Sequence, residues 1–267
     1  MSNAHHTLAT PVPTAELPVV RKIGPADLKY AMTRGAADFW AMPTHIVFLG
    51  LIYPVIGLVL ARLVFGYDVL PLLFPLAAGF ALVGPFAALG LYELSRRREA
   101  GLDTGWKRAF DVFRSPSFGA IAAVGALLLV LFFIWIGVAD AIYVATFGYA
   151  SAASMPDFLD QVLNTPEGMR LILVGNAVGF LFAVLALMIS AVSFPLLLDR
   201  PVGPIVAILT SVRVVLANPL TMALWGVIVA GLLLIGSVPL FLGLAVIVPV
   251  LGHATWHLYR RAVGPAA

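Results

Sequence analysis

An all-α, polytopic membrane fold is what this sequence predicts, and three observations carry the prediction. The chain of 267 residues is 61% hydrophobic and only 11% charged, with a mean hydropathy of +1.03. Soluble domains run nearer roughly 45–50% apolar and about 25% charged, so this composition cannot cover a water-facing surface. The apolar residues also fall in blocks, each about as long as the 20 or so residues a helix needs to cross hydrocarbon. Finally, the cations collect at one set of block ends. With no cysteine in the chain, disulfides, thiolate metal sites, cysteine nucleophiles and iron–sulfur ligation are all excluded.

Six such blocks are expected to form transmembrane helices, at residues 43–65, 71–94, 118–141, 171–198, 219–236 and 239–259. The last two make one apolar stretch, residues 219–259, about twice the length of a crossing. Gly236, Ser237 and Pro239 supply a reversal there, which predicts a hairpin. Residues 1–24 are rich in proline, carry no apolar core of the kind a signal peptide needs, and read as a disordered cytoplasmic tail. His5 and His6 within it read as a solvated pair. Residues 25–262 then form one membrane domain.

Cation placement predicts orientation. With six spans, one side receives Arg21, Lys22, Lys29 and Arg34, the loop from Arg96 to Arg114, Arg200 and Arg213, and the terminal pair Arg260 and Arg261, which is 14 of the 16 Lys and Arg residues. The other side receives Arg62 and Arg170 together with Asp68, Asp140, Asp157, Asp160 and Glu167. Both termini are therefore expected in the cytoplasm, and the protein in a bacterial inner membrane. The pI near 9.4 does not signal nucleic acid, because the cations sit at span ends, where they meet anionic headgroups.

Placing Pro43, Pro116 and Pro219 in register reveals a threefold plan. Bulky apolar residues lie three and four positions before each proline: Phe39 and Trp40, Val112 and Phe113, Val215 and Leu216. Further back, Leu28, Met32 and Ala36, then Trp106 and Phe110, then Ile205, Ile208, Leu209 and Val212 recur at helical spacing. Each segment is expected to be an interfacial amphipathic helix that turns into the bilayer at its proline, with Ser115 and Asn218 as caps. Pro85, Pro195 and Pro249 echo one another inside the second, fourth and sixth spans, where they are expected to break the helix. Tyr92 and Trp256 both fall seven residues after the first and last of these prolines. The resulting architecture is three hairpins, each preceded by an interfacial helix, in units of about 25–98, 104–200 and 201–262.

The segments DLKYAMTRGAADFWAMPTHIVFLGLIYPVIG and GWKRAFDVFRSPSFGAIAAVG resemble an uncharacterised family of predicted bacterial, chiefly proteobacterial, integral membrane proteins. The resemblance extends over about residues 25–262. It implies a multi-span inner-membrane protein with no assigned activity, and it brings no catalytic motif.

Ionisable groups inside spans are costly, at about 2.5–3.5 kcal/mol near the bilayer centre, so each is a candidate for function. Glu93 is expected to snorkel to the interface and pair with Arg96. His45, His253 and His257 form a candidate polar cluster: His253 and His257 share one helical face, and His45 lies near the same end of its span. The intervening sequence HATWH lacks the glutamate of a zinc-protease motif, so no metal is assigned. Gly175 and Gly179 form a GxxxG flanked by Asn176, which suits close helix packing with a polar cross-link. Residues 156–163 read as a short amphipathic helix on the outer side.

No phosphate-binding glycine loop or nucleophile–base arrangement appears, so no catalytic residue and no cofactor is assigned. The reading reached is a non-enzymatic, six-span accessory or assembly subunit of a larger membrane complex, respiratory complexes included, with the lipid bilayer and subunits of that complex as its partners. Two alternatives stand beside it. One is a transporter or channel for a small or lipid-like solute, using the proline-broken spans. The other is haem b binding between His45 and His253.

Overall fold

A computed structural model of the protein describes residues 17–42, 75–76, 79, 84–86, 88–149, 154–238 and 242–264. The first expected span, residues 43–65, lies outside the described residues, as does His45. Every long element among the described residues is helical. They are α1 (Pro25–Ala41), α2 (Leu89–Glu99), a 3₁₀ helix (Trp106–Arg114), α3 (Phe118–Phe147), α4 (Met155–Asn164), α5 (Pro166–Ser190), α6 (Ser193–Asp199), α7 (Pro204–Ala217), α8 (Pro219–Ser237) and α9 (Leu244–Ala262). Three described segments are long and apolar enough to cross a membrane: α3, α5 continued through α6, and α8.

The expected disordered tail is corrected over residues 17–24. Val20 bridges Val263 antiparallel, Arg21 N donates to Ala262 O at 2.8 Å, and Gly264 N donates to Val19 O at 2.8 Å. Asn218 supplies the reason. Its Oδ1 accepts from Ile23 N at 2.9 Å, and its Nδ2 donates to Arg21 O at 3.1 Å and Val214 O at 3.0 Å. A residue expected to cap α8 with its side chain instead clamps the amino-terminal segment.

Two of the three proline turns share a backbone. Met42, before Pro43, has φ −127° and ψ 61°, and Asn218, before Pro219, has φ −132° and ψ 53°. Each cap N–H is shared between the carbonyls three and four residues back. The middle copy departs, because its segment is a 3₁₀ helix and Ser117, not Ser115, stands at the N-cap of α3. Three residues per turn line up Lys107, Phe110 and Phe113, and the two phenylalanine rings stack at 6.3 Å.

The faces that α1 and α7 bury mix small residues with a few bulky ones. On α1 these are Leu28, Ala31, Gly35, Asp38 and Phe39, with Trp40 outward. On α7, Ala207, Thr210, Ser211 and Val214 are buried, while Ile205, Leu209 and Leu216 face out. Small residues let backbones approach closely, the usual rule where lipid offers bulky side chains an equal environment.

The basic ends of α2, α6 and α9 meet one another, and each also packs on the element that opens another segment: α9 on α1, α2 on the 3₁₀ helix, α6 on α7. The α1–α9 contact is the closest. A Cβ on Gly35 would lie 2.6 Å from Ala254 N and 2.7 Å from Val250 O. At the other end of α9, Gly236 and Gly243 bring the α8 and α9 backbones together, since a Cβ on Gly243 would sit 2.8 Å from Gly236 Cα.

The prolines behave differently from one another. Helix α5 stops at Ser190 and α6 resumes at Ser193, the stop falling just before Pro195, whose ring opposes the carbonyl four residues back. Val192 N, released by the break, is picked up by Ser211 Oγ at 3.2 Å. Pro249 breaks nothing visible, because α9 runs through it without interruption although the bond from residue 249 to Ala245 O is missing. Pro85 lies in helical backbone, where Ala88 N donates to Gly84 O at 2.9 Å.

Candidate functional site: a buried polar cluster at the basic ends

Three helices bring the cluster together. Ser95 and Arg98 lie three apart on α2, His253 and His257 four apart on α9, and Asp38 sits on the buried face of α1. The close approach at Gly35 carries Asp38 to α9. Asp38, Ser95 and His253 are each at most 1% exposed, and His257 is 5% exposed.

Ser95 Oγ donates to Asp38 Oδ2 at 2.6 Å and lies 2.8 Å from His253 Nδ1. His257 Nε2 is 2.8 Å from the same Oδ2, and Arg98 Nη1 pairs with Oδ1. The hydroxyl has one hydrogen, and Asp38 takes it, so His253 must donate from Nδ1 to Ser95. Likewise His257 donates from Nε2. Burial pushes the Asp38 carboxyl up, but the hydrogen bonds from His257 and Ser95 and the charges of His257 and His253 outweigh it and hold the group at about 2. Asp38 is thus an ion with three direct donors, Ser95, His257 and Arg98, inside a membrane protein's packed end.

The order of these groups limits their chemistry. In a hydrolytic triad the histidine stands between serine and carboxylate and removes the serine proton. Here serine stands between histidine and carboxylate, and the facing ring nitrogen is a donor. The cluster can lock helices, and it can pass a proton from a histidine to Asp38 through Ser95 by exchange along the chain. Among the described residues no set of three His, Asp or Glu side chains is placed to hold a metal ion.

A second shell of pairs surrounds it. Trp256 Nε1 donates to Glu99 Oε2 at 2.8 Å, Arg260 bridges Glu99 at 3.1 Å and Asp199 at 3.3 Å, and Tyr259 OH donates to Asp199 at 2.5 Å. Glu93 pairs with Arg96 at 2.7 and 2.8 Å, yet it is only 3% exposed. Its expected position at a wet interface is corrected: the 3₁₀ helix packs over α2 and covers it.

The structure joins His253 and His257 through Ser95 and Asp38. Gly175 and Gly179 do not work as a pair. Gly179 admits the Trp135 indole, whose nearest atom would be 3.0 Å from a Cβ, whereas Gly175 faces open space. Asn176 makes no cross-link among the described residues, its Nδ2 donating to Ile172 O within its own helix at 2.7 Å. Asp38, Ser95 and Arg98 were not foreseen. One signal was available, since Asp38 and Asp111 both stand five residues ahead of a registered proline, Pro43 and Pro116.

Residues 72–199 match the family described as predicted integral membrane protein (DUF2189). No curated protein and no solved structure matches the chain.

Proposed function

We propose that this chain is a non-enzymatic accessory or assembly subunit of a larger membrane complex, crossing a bacterial inner membrane six times with both ends in the cytoplasm. One observation supports it above the rest. The segment Pro166–Asp199 is the least covered of the apolar spans, with 6% of its most apolar window buried in the chain, against 28% for α3 and 22% for α8. Within that uncovered face lies the exposed amide of Asn176, beside the open Gly175. An amide turned to hydrocarbon is costly, and a helix from another subunit that offers it a donor relieves the cost.

Native purification in mild detergent tests this. The expected result is migration well above the monomer with stoichiometric co-purifying subunits, reduced to the monomer in Asn176→Leu. A monodisperse monomer with no companion protein overturns it.

Transport of a small solute is the second reading, favoured by the buried titratable chain through Asp38, Ser95 and the two histidines. Solute flux in proteoliposomes that is lost in Asp38→Asn would establish it. Haem binding draws less support, because His253 is fully buried in the packed cluster and His257 Nε2 is already engaged with Asp38. A Soret band lost in His253→Ala would be its signature.

A further inference from the structure

A cavity of about 320 Å³ opens where the ends of α2 and α6 meet the 3₁₀ helix and the first turn of α3. Four arginines line it: Arg96, Arg97, Arg114 and Arg200. Glu93, Asp111 and Asp199 share its wall, which leaves one positive charge in excess. Three of the guanidiniums are engaged, Arg96 with Glu93 at 2.7 Å, Arg97 with Asp111 at 3.3 Å and Arg200 with Asp199 at 3.5 Å. Arg114 carries the surplus. Its side chain is 86% exposed and only 3.9 Å from Asp111, a loose pairing that screening weakens further.

Two further features favour an anion in the same space. Helix α3 runs for 30 residues and begins here, so its end carries partial positive charge, although Ser117 N is already held by Ser115 Oγ at 3.2 Å and Phe118 N by Ser115 O at 3.0 Å. Ser117, the N-cap, is 7% exposed and lines the cavity, and its hydroxyl has no hydrogen-bond partner among the described residues. Buried hydroxyls are ordinarily bonded, so this one marks a place where a ligand oxygen belongs.

The chemistry that satisfies a hydroxyl, a helix N-terminus and a surplus guanidinium together is a compact anion with several acceptor oxygens. Beside the cavity, Trp106 and Phe113 on the 3₁₀ helix are 46% and 62% exposed, and Phe113 packs at 5.4 Å on Phe118 at the start of α3. Exposed aromatics flanked by Lys107 and Arg108 sit at headgroup depth in membrane proteins, which sets the cavity mouth at the level of lipid phosphates. We propose that this cavity binds a phosphate group, supplied by a phospholipid headgroup or by free phosphate.

The test uses the full-length protein, purified in detergent and stripped of lipid, titrated with short-chain phosphatidylglycerol, with inorganic phosphate, and with short-chain diacylglycerol as the phosphate-free control. Saturable binding of a phosphate-bearing probe, weakened about tenfold in Arg114→Gln and in Ser117→Val, is the expected outcome. Binding of phosphatidylglycerol alone assigns the headgroup, and binding of inorganic phosphate at similar affinity assigns the free ion. Arg114 is exposed, so its variant keeps the fold even if Ser117→Val does not. Binding of neither phosphate probe, equal binding of diacylglycerol, or affinity unchanged in Arg114→Gln overturns the proposal.

Discussion

The basic ends of α1, α2 and α9 and the apolar bodies of α3, α5 and α8 are folded by different forces. At the basic ends an ionised carboxylate, a serine and two histidines are closed off from solvent and bonded to one another, and a part-exposed arginine pairs with the carboxylate. Along the bodies, large apolar side chains such as Phe133, Phe180, Leu224 and Leu234 face outward. Buried polar groups are specific because every missing partner is costly. Apolar contacts against lipid are not, since lipid and a neighbouring leucine are nearly equivalent solvents. The ends therefore fix how the helices stand, and the bodies leave their apolar side chains turned outward.

Breaking the polar end should have the largest effect. Asp38→Ala strands Arg98 and His257 without their carboxylate, and loss of one partner from a buried ionic cluster costs about 3–5 kcal/mol. The expected result is loss of monodisperse folded protein in detergent, seen by size exclusion and thermal melting. A melting temperature equal to wild type would show that the cluster does not hold α1 to α9.

Two glycines sharpen the contrast. Gly35→Ala drives a Cβ into the α9 backbone at Ala254 and Val250, atoms that cannot swing aside, so overpacking of about 1–3 kcal/mol is expected. Gly175→Ala meets open space and should be neutral or stabilising by up to about 1 kcal/mol, because alanine favours the helix. Similar responses of the two variants in the same melting assay would erase the distinction drawn here.

Acid should act most strongly on the buried polar end. The Asp38 carboxyl is held at about 2, below its ordinary 3.8. A lowered carboxylate contributes stability that is complete above the ordinary value and lost as pH falls through the folded one. The melting temperature is expected to lose this contribution between about pH 4 and pH 2, and Asp38→Asn should flatten that drop. A modest effect is expected of Trp256→Phe, which removes the indole bond to Glu99 and costs about 1 kcal/mol. A loss as large as that of Asp38→Ala would move the centre of the network to Glu99.

Much of this was legible in the chain, for reasons specific to particular residues. The 219–237 helix starts at its proline, and α3 and α5 fall on apolar blocks, because hydrocarbon selects length and composition directly. His253 and His257 could be placed on one face by spacing alone. Their partners could not be found that way, since Asp38 lies 219 residues from His257 and Ser95 lies 158 from His253. The inward faces of α1 and α7 also misled. Leu28, Phe39 and Val215 of the bulky stripe are buried, but Trp40, Ile205, Leu209 and Leu216 face out and Gly35, Ala31, Ala207 and Ser211 complete the packed face.

What the sequence determined by itself was the solvent: blocks of apolar residues with basic ends require a bilayer, whatever the helices do next. What only the tertiary structure decided was which polar groups meet inside the basic ends. Partition between water and lipid is a property of each segment alone, whereas a buried hydrogen bond exists only when two distant segments arrive within about 3 Å of each other.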